Sequence, residues 1–134
     1  LWDVDCEVEC SSGTYIRALA RDLGAALNVG GHLTALRRTR AGPFHVDNAV
    51  SAEDISPSAL MSLSEVAGQL MPTMSMTRAQ TVELGHGKQV YLDATGEAGP
   101  DQPVACLSPD GQLVAICAVS DSRARILVGF PADV

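Results

Sequence analysis

Long apolar runs are absent from this chain of 134 residues. The uninterrupted ones last only a few residues, too short for a helix that spans a bilayer. The basic stretch followed by an apolar core that marks a secretory signal is not visible either. None of the four cysteines stands in a Cys-x-x-Cys pair, and His32, His45 and His86 are isolated from one another. That pattern argues against zinc or any other metal. Cys6 and Cys10 are four residues apart in an alternating segment, roughly 13 Å along a strand at 3.3 Å per residue, too far for a disulfide without a bend. All four cysteines, Cys106 and Cys117 included, therefore read as small buried thiols of a reducing cytoplasm. Positive charge is scarce: nine Lys and Arg face sixteen Asp and Glu, a formal net of −7.

The scarce positive charge is unevenly placed. Residues 13–44 hold Arg17, Arg21, Arg37, Arg38 and Arg40 against the single acid Asp22, a local +4, while the remainder carries −11. Contact with phosphate needs local positive charge, not a basic average. A chance division of solvated surfaces is the alternative. With 46% apolar and 19% charged residues the chain can bury a core and is not a disordered tail. Its length suits one domain, or part of one plus a small second one.

Periodicity predicts the elements. Trp2, Val4, Cys6, Val8 and Cys10 alternate with Asp3, Asp5, Glu7 and Glu9, which predicts a half-buried strand over 2–10 with a wet acidic face. Ser11-Ser12-Gly13-Thr14 breaks it. Apolar spacing predicts a helix over 14–28 with Ile16, Leu19, Ala20, Leu23, Ala26 and Leu27 in one stripe, stopped by Asn28 to Gly31. Residues 32–40 read as a second strand, ended at Gly42-Pro43. Residues 45–75 carry weak signals, with helical turns beginning near Ser51 and Ser64. Thr77 is placed to cap a short helix that ends at Gly85-His86-Gly87. Short strands follow over 89–92, 104–107, 113–119 and 125–128, with a hairpin turn at Ser108-Pro109-Asp110-Gly111 and a loop of mobile composition over 95–103.

The stretch that carries chemistry runs from Cys10 to Gly24. Tyr15 and Arg17 fall in the first turn of a helix just after a strand–turn junction, where sites are often built. A phenol can stack on a base and a guanidinium can pair bidentately with carboxylate or phosphate. Spacing alone equally allows Tyr15 to fill a core edge and Arg17 to be solvated.

Cys-Ser-Ser-Gly-Thr-Tyr-Ile-Arg at 10–17, Ala-Arg-Asp-Leu-Gly at 20–24 and Gly-Gly-His-Leu-Thr-Ala-Leu-Arg-Arg-Thr-Arg-Ala-Gly-Pro-Phe at 30–44 together resemble the bacterial tRNA pseudouridine synthase B family. Order and spacing agree from about Cys6 to Phe44, which is far more specific than one short motif. The resemblance implies an α+β chain: residues 1–75 as the C-terminal part of a mixed α/β pseudouridine synthase catalytic domain, then residues 76–134 as a small PUA-like RNA-binding β module. It implies isomerisation of a uridine in the T-arm loop of tRNA to pseudouridine, in the cytoplasm, with no cofactor and no membrane partner. It assigns Tyr15 to the flipped base, Arg17 to the catalytic aspartate and Leu36 to the nucleotide pocket. Arg37, Arg38, Arg40 and Lys88 become candidates for RNA contact; a solvated strand face and, for Lys88, a charged edge are the plainer readings.

One departure limits the resemblance. The family's catalytic aspartate lies in a Gly-x-Leu-Asp-Pro-like motif, and none of the ten aspartates here has that context. Asp22 reads instead as a surface partner for a nearby arginine. Since the chain starts at Leu1, the expectation is a C-terminal portion with no catalytic residue of its own, inactive alone and partnered by an N-terminal part that carries the aspartate. Two alternatives stay open: a non-catalytic RNA-binding module, and a guide-RNA-dependent synthase of archaeal or eukaryotic type.

Overall fold

Helix α1 forms where the apolar spacing places it, but shorter at both ends: in the computed structural model it spans Ile16–Ala26. The structure describes residues 2–92 and 102–130. The backbone divides into two compact units, Leu1–Thr39 and Arg40–Val134.

In the first unit α1 ends in a Schellman motif. Asn28 takes the left-handed conformation at φ +57°, its N–H donating to the Ala25 carbonyl, while the Val29 N–H donates to that of Gly24 at 3.0 Å. The chain then folds back so tightly that a Cβ on Gly24 would meet the backbone of Gly30 and Gly31, and one on Gly31 the carbonyl oxygen of Ala20. Glycine at both positions is therefore a steric requirement. Ile16, Ala20 and Gly24, four residues apart, form the more buried line of the helix. Leu19, Leu23 and Leu27 of the expected stripe remain 45–63% exposed.

Two predicted strands are corrected here. Residues 2–10 form no ladder among the described residues, and every one of them is exposed. Alternation marks a segment able to be half buried, but a strand also needs a neighbour for its N–H and C=O groups. Cys6 and Cys10 are consequently exposed, and only Cys106 and Cys117 are buried as expected. The strand expected over 32–40 reduces to its last residue: β1 (Arg40–Ala41) pairs antiparallel with β2 (Phe44–His45) across Gly42-Pro43.

The second unit is built on one five-stranded sheet. Three short 3-10 turns, including Ala52–Asp54, lead to α2 (Leu63–Leu70), β3 (Thr73–Ser75), α3 (Arg78–Gly85) and β4 (Val90–Tyr91). Then come β5 (Pro103–Leu107), β6 (Leu113–Ser120) and β7 (Arg123–Gly129). The strand order is β3-β5-β6-β7-β4, with β3 parallel to β5 and the other pairs antiparallel. All four strands expected after residue 88 are present, as is the turn after Ser108, where Gly111 N–H donates to the Ser108 carbonyl at 2.9 Å. Most of the loop expected over 95–103 lies outside the described residues, and Pro103 opens β5. Strand β3 is not apparent from the sequence; its three residues are too few to show a period, and β5 holds it. It lies before residue 76, yet belongs to the sheet of the second unit.

Both helices of this unit are capped by the same device. Thr77 Oγ1 accepts from the Gln80 N–H at 3.3 Å while Gln80 Oε1 accepts from the Thr77 N–H at 2.9 Å. In α2, Ser62 and Glu65 repeat the exchange at 3.2 and 2.8 Å. Hydrogen bonds from the Ser62 backbone and hydroxyl hold the Glu65 carboxyl below its ordinary value. The helices pack against β5, β6 and β7, and β6 is apolar nearly throughout and buried nearly throughout. Met76, Leu84, Val90, Val104, Cys106, Cys117 and Ala124 are among the residues of one core cluster, and no polar or charged residue is buried among those described. The Cys106 and Cys117 thiols lie on neighbouring strands; a hydrogen bond between them and burial push the Cys106 thiol well above its ordinary value, so it stays protonated.

Candidate functional site

The turn that precedes α1 leaves its first residue without a side-chain cap. Neither Ser11, Ser12 nor Thr14 takes that role; Tyr15 occupies the N-cap position with extended backbone, and its carbonyl accepts from the Ala18 N–H at 2.9 Å. A phenol cannot reach back to the backbone as serine would, so its ring stands in solvent, 74% exposed. Arg17 is the second helical residue and is also exposed.

Arg17 stands against a common preference. Helix N-termini carry partial positive charge and favour acids in the first turn; here the first turn has none and holds a guanidinium instead. The free N–H groups and Arg17 therefore make one electropositive end, suited to a carboxylate or phosphate. Among the described residues Arg17 has no ion pair or hydrogen-bond partner for its guanidinium, and the same holds for Arg37 and Arg38. Asp22 is accounted for: it accepts from Arg21 Nε at 2.8 Å on an exposed surface, and that hydrogen bond raises the Arg21 guanidinium.

Leu36 is 66% exposed, with Arg37 and Arg38 beside it in the irregular stretch that replaces the expected strand. Alternation therefore cannot assign these side chains to opposite faces. Tyr15, Arg17, Leu36, Arg37 and Arg38 all belong to the first unit, and Arg40 and Lys88 to the second. The Arg40 guanidinium donates to the Gly42 carbonyl at 3.2 Å, which ties it to its own turn. Lys88 follows the α3 terminus, its backbone N–H donating to the Glu83 carbonyl at 3.0 Å, and its side chain is exposed. No group of three His, Cys, Asp or Glu residues that could hold a metal ion occurs among the described residues.

Sequence reasoning missed a second cluster. Strand β7 presents Arg123 and Arg125 on one face, and β4 pairs Tyr91 with Arg123. The Arg123 guanidinium carbon lies 4.9 Å from the centroid of the Tyr91 ring. Together with Gln89, Ser120 and Asp121 they line a depression of about 420 Å³. The Arg-x-Arg spacing was a legible signal for a shared face; the approach of Tyr91 needed the β4–β7 pairing.

Comparison with known proteins follows the same lines. The chain is 47% identical over 133 residues to a tRNA pseudouridine synthase B of Leifsonia xyli subsp. xyli, covering 98% of this chain and 43% of that protein. It is 45% identical over 137 residues to one of Arthrobacter sp. (strain FB24), covering 98% of this chain and 45% of that protein. The chain thus spans less than half the length of these relatives. A chain in a solved structure of an H/ACA RNP bound to a substrate RNA containing 2'-deoxyuridine shares its fold, with a TM-score of 0.73 at 22% identity over 90% of this chain and 48% of that one. A chain in an archaeal box H/ACA sRNP Nop10-Cbf5 complex does so at a TM-score of 0.68, also at 22% identity, over 91% of this chain and 49% of that one. The family profile described as the tRNA pseudouridylate synthase B C-terminal domain matches residues 17–83, half of the chain, and on that match the chain belongs to this family.

Proposed function

We propose that the chain is the C-terminal portion of an enzyme that isomerises uridine to pseudouridine in the T-arm loop of tRNA. The observation that carries this reading is the open N-terminal turn of α1, where an exposed phenol and a guanidinium unpaired among the described residues stand two residues apart with no acid in that turn. The reaction breaks the N1–C1′ glycosidic bond of uridine, forms a C5–C1′ bond to the same base, and moves a proton from C5 to N1. It is balanced without an added reactant. The base must first leave its stack, and a tyrosine face replaces part of the lost stacking.

In this reading Tyr15 packs on the flipped base and Leu36 lines its pocket. Arg17 holds ionised and oriented an aspartate supplied by the N-terminal part of the same protein, the chain's expected partner. Arg37, Arg38, Arg40 and Lys88 meet tRNA phosphates. Residues 76–134 act as the RNA-binding module, the preceding residues as part of the catalytic domain, and the setting is cytoplasmic. The identity of 40–47% to bacterial relatives such as those of Leifsonia xyli and Thermobifida fusca favours guide-independent action over the guide-dependent alternative.

Arg17→Met in the intact enzyme tests the assignment. Breaking a desolvated guanidinium–carboxylate pair costs about 3–5 kcal/mol, so turnover should fall at least ~10²-fold. Affinity for tRNA should change little. Near-normal pseudouridine formation in that variant, measured on a T-arm substrate, removes the role of Arg17. Pseudouridine formation by the 134-residue chain alone would remove the need for an aspartate from elsewhere.

A further inference from the structure

We propose that the depression between β4 and the β6–β7 hairpin is a second nucleic-acid contact, taking the phosphates of an unpaired RNA step on Arg123 and Arg125 and its base on the Tyr91 ring. The inference rests on the reading of the chain as part of a tRNA-modifying enzyme and adds a site to it. Three independent features converge there. The first is charge. Outside residues 13–44 the chain has four basic residues against fifteen acids, and two of the four share this face. Arginines on an acid-rich surface readily find carboxylates, yet neither forms an ion pair among the described residues, although Asp121 lines the same depression. Among the described lining residues, two guanidiniums against one carboxylate give a net positive charge.

The second feature is spacing. Alternate residues of a strand project from one face about 7 Å apart, a separation suited to consecutive phosphates of an extended nucleic-acid strand. Ladder pairing of β7 with β6 and β4 fixes it in advance, so the backbone beneath the two arginines loses little freedom on binding. The third is the aromatic. Tyr91 is 64% exposed although Arg123 lies against its ring, so part of the phenol remains available to a base. A volume of about 420 Å³ is sufficient for a nucleotide. Exposed tyrosine beside unpaired arginines is the combination by which proteins hold single-stranded nucleic acid without reading its sequence.

The test is equilibrium binding of an unmodified tRNA transcript to the intact protein as a function of salt, with pseudouridine formation measured in parallel. The double variant Arg123→Glu/Arg125→Glu should bind at least about tenfold more weakly and lower the log–log salt slope by about two units. Tyr91→Ala should weaken binding about 5- to 100-fold with the slope unchanged, and Tyr91→Phe should restore it. Arg123→Lys/Arg125→Lys keeps both charges and should keep the slope. Melting of each variant at the wild-type temperature confirms that the sheet is intact. A double charge reversal that leaves affinity and slope unchanged overturns the inference, as does a loss equal at every salt concentration. If the wild type makes pseudouridine and the charge reversal leaves tRNA affinity untouched, this site falls while the proposed function stands. If the wild type binds RNA through these arginines but makes no pseudouridine, the proposed function falls and the site stands. Charge-dependent binding to phosphatidylserine vesicles in place of tRNA overturns the RNA assignment.

Discussion

Individual residues show which local rules the chain keeps and which it breaks. Arg17 opposes the helix dipole, and Tyr15 fills an N-cap position that serine or threonine would hold better. Departures of this kind are expected where a side chain is retained for binding; the place of Arg17 in the first turn was legible from the order Gly-Thr-Tyr-Ile-Arg, whereas Tyr15 was read one step inside a helix that starts only at Ile16. The absence of an acid beside Arg17 was not legible, since only coordinates show which carboxylates approach a guanidinium. The β6–β7 turn contains another departure. Asp121 and Ser122 both have positive φ, +49° and +58°, as in a type I′ turn, for which glycine is preferred at the second place. Ser122→Gly should relieve about 1–2 kcal/mol of left-handed strain, against about 0.5–1 kcal/mol of extra chain entropy. The expected result is a melting temperature raised by a few degrees; a lowered one would show that Ser122 is held by something other than its backbone.

At the scale of elements, the helices and the β5–β6 hairpin followed from local signals, whereas the β1–β2 hairpin and the unpartnered strands did not. The helix beginning at Arg78 was legible because Thr77 stands as its cap and Gly85-His86-Gly87 as its stop; the structure adds Gln80, which completes a capping box. Its counterpart, Ser62 and Glu65, was passed over, since the three-residue spacing stood in a stretch of otherwise weak signals. That cap carries a pH dependence. The Glu65 carboxyl is lowered in the folded chain, so its contribution is complete above the ordinary carboxylate value and is lost as pH falls through the lowered one. Thermal melts of wild type and Glu65→Gln should differ most near neutrality and converge on the acid side, once the lowered carboxyl is protonated. An offset constant from neutral to acid would assign the effect to packing. Residues 2–10 had as regular a pattern as any in the chain and form no strand, because alternation describes faces and says nothing of a neighbour. The strand read over 32–40 failed for the same reason, and with it the division of Arg37 and Arg38 between two faces.

Across the whole molecule, order is concentrated in the second unit. Val104, Cys106, Ala115, Cys117 and Ala124 are at most 1% exposed, all on β5, β6 and β7. Apolar burial of this kind is the main source of stability, so amide hydrogen exchange should be slowest in those strands and fast over residues 2–10 and 32–39, where no ladder protects the backbone. Slow exchange over 2–10 in this chain would reveal a pairing that the structure does not contain. The order and spacing of residues alone determined the helix from Ile16, the capped helix from Arg78, the later strands and the motif carrying Tyr15 and Arg17, since each depends on contacts within a few residues. Only the tertiary structure decided that β3 joins β5, that Cys6 and Cys10 are exposed while Cys106 and Cys117 are buried, and that Tyr91 meets Arg123. Those outcomes depend on which distant backbone supplies the missing hydrogen bonds, and no local period encodes that choice.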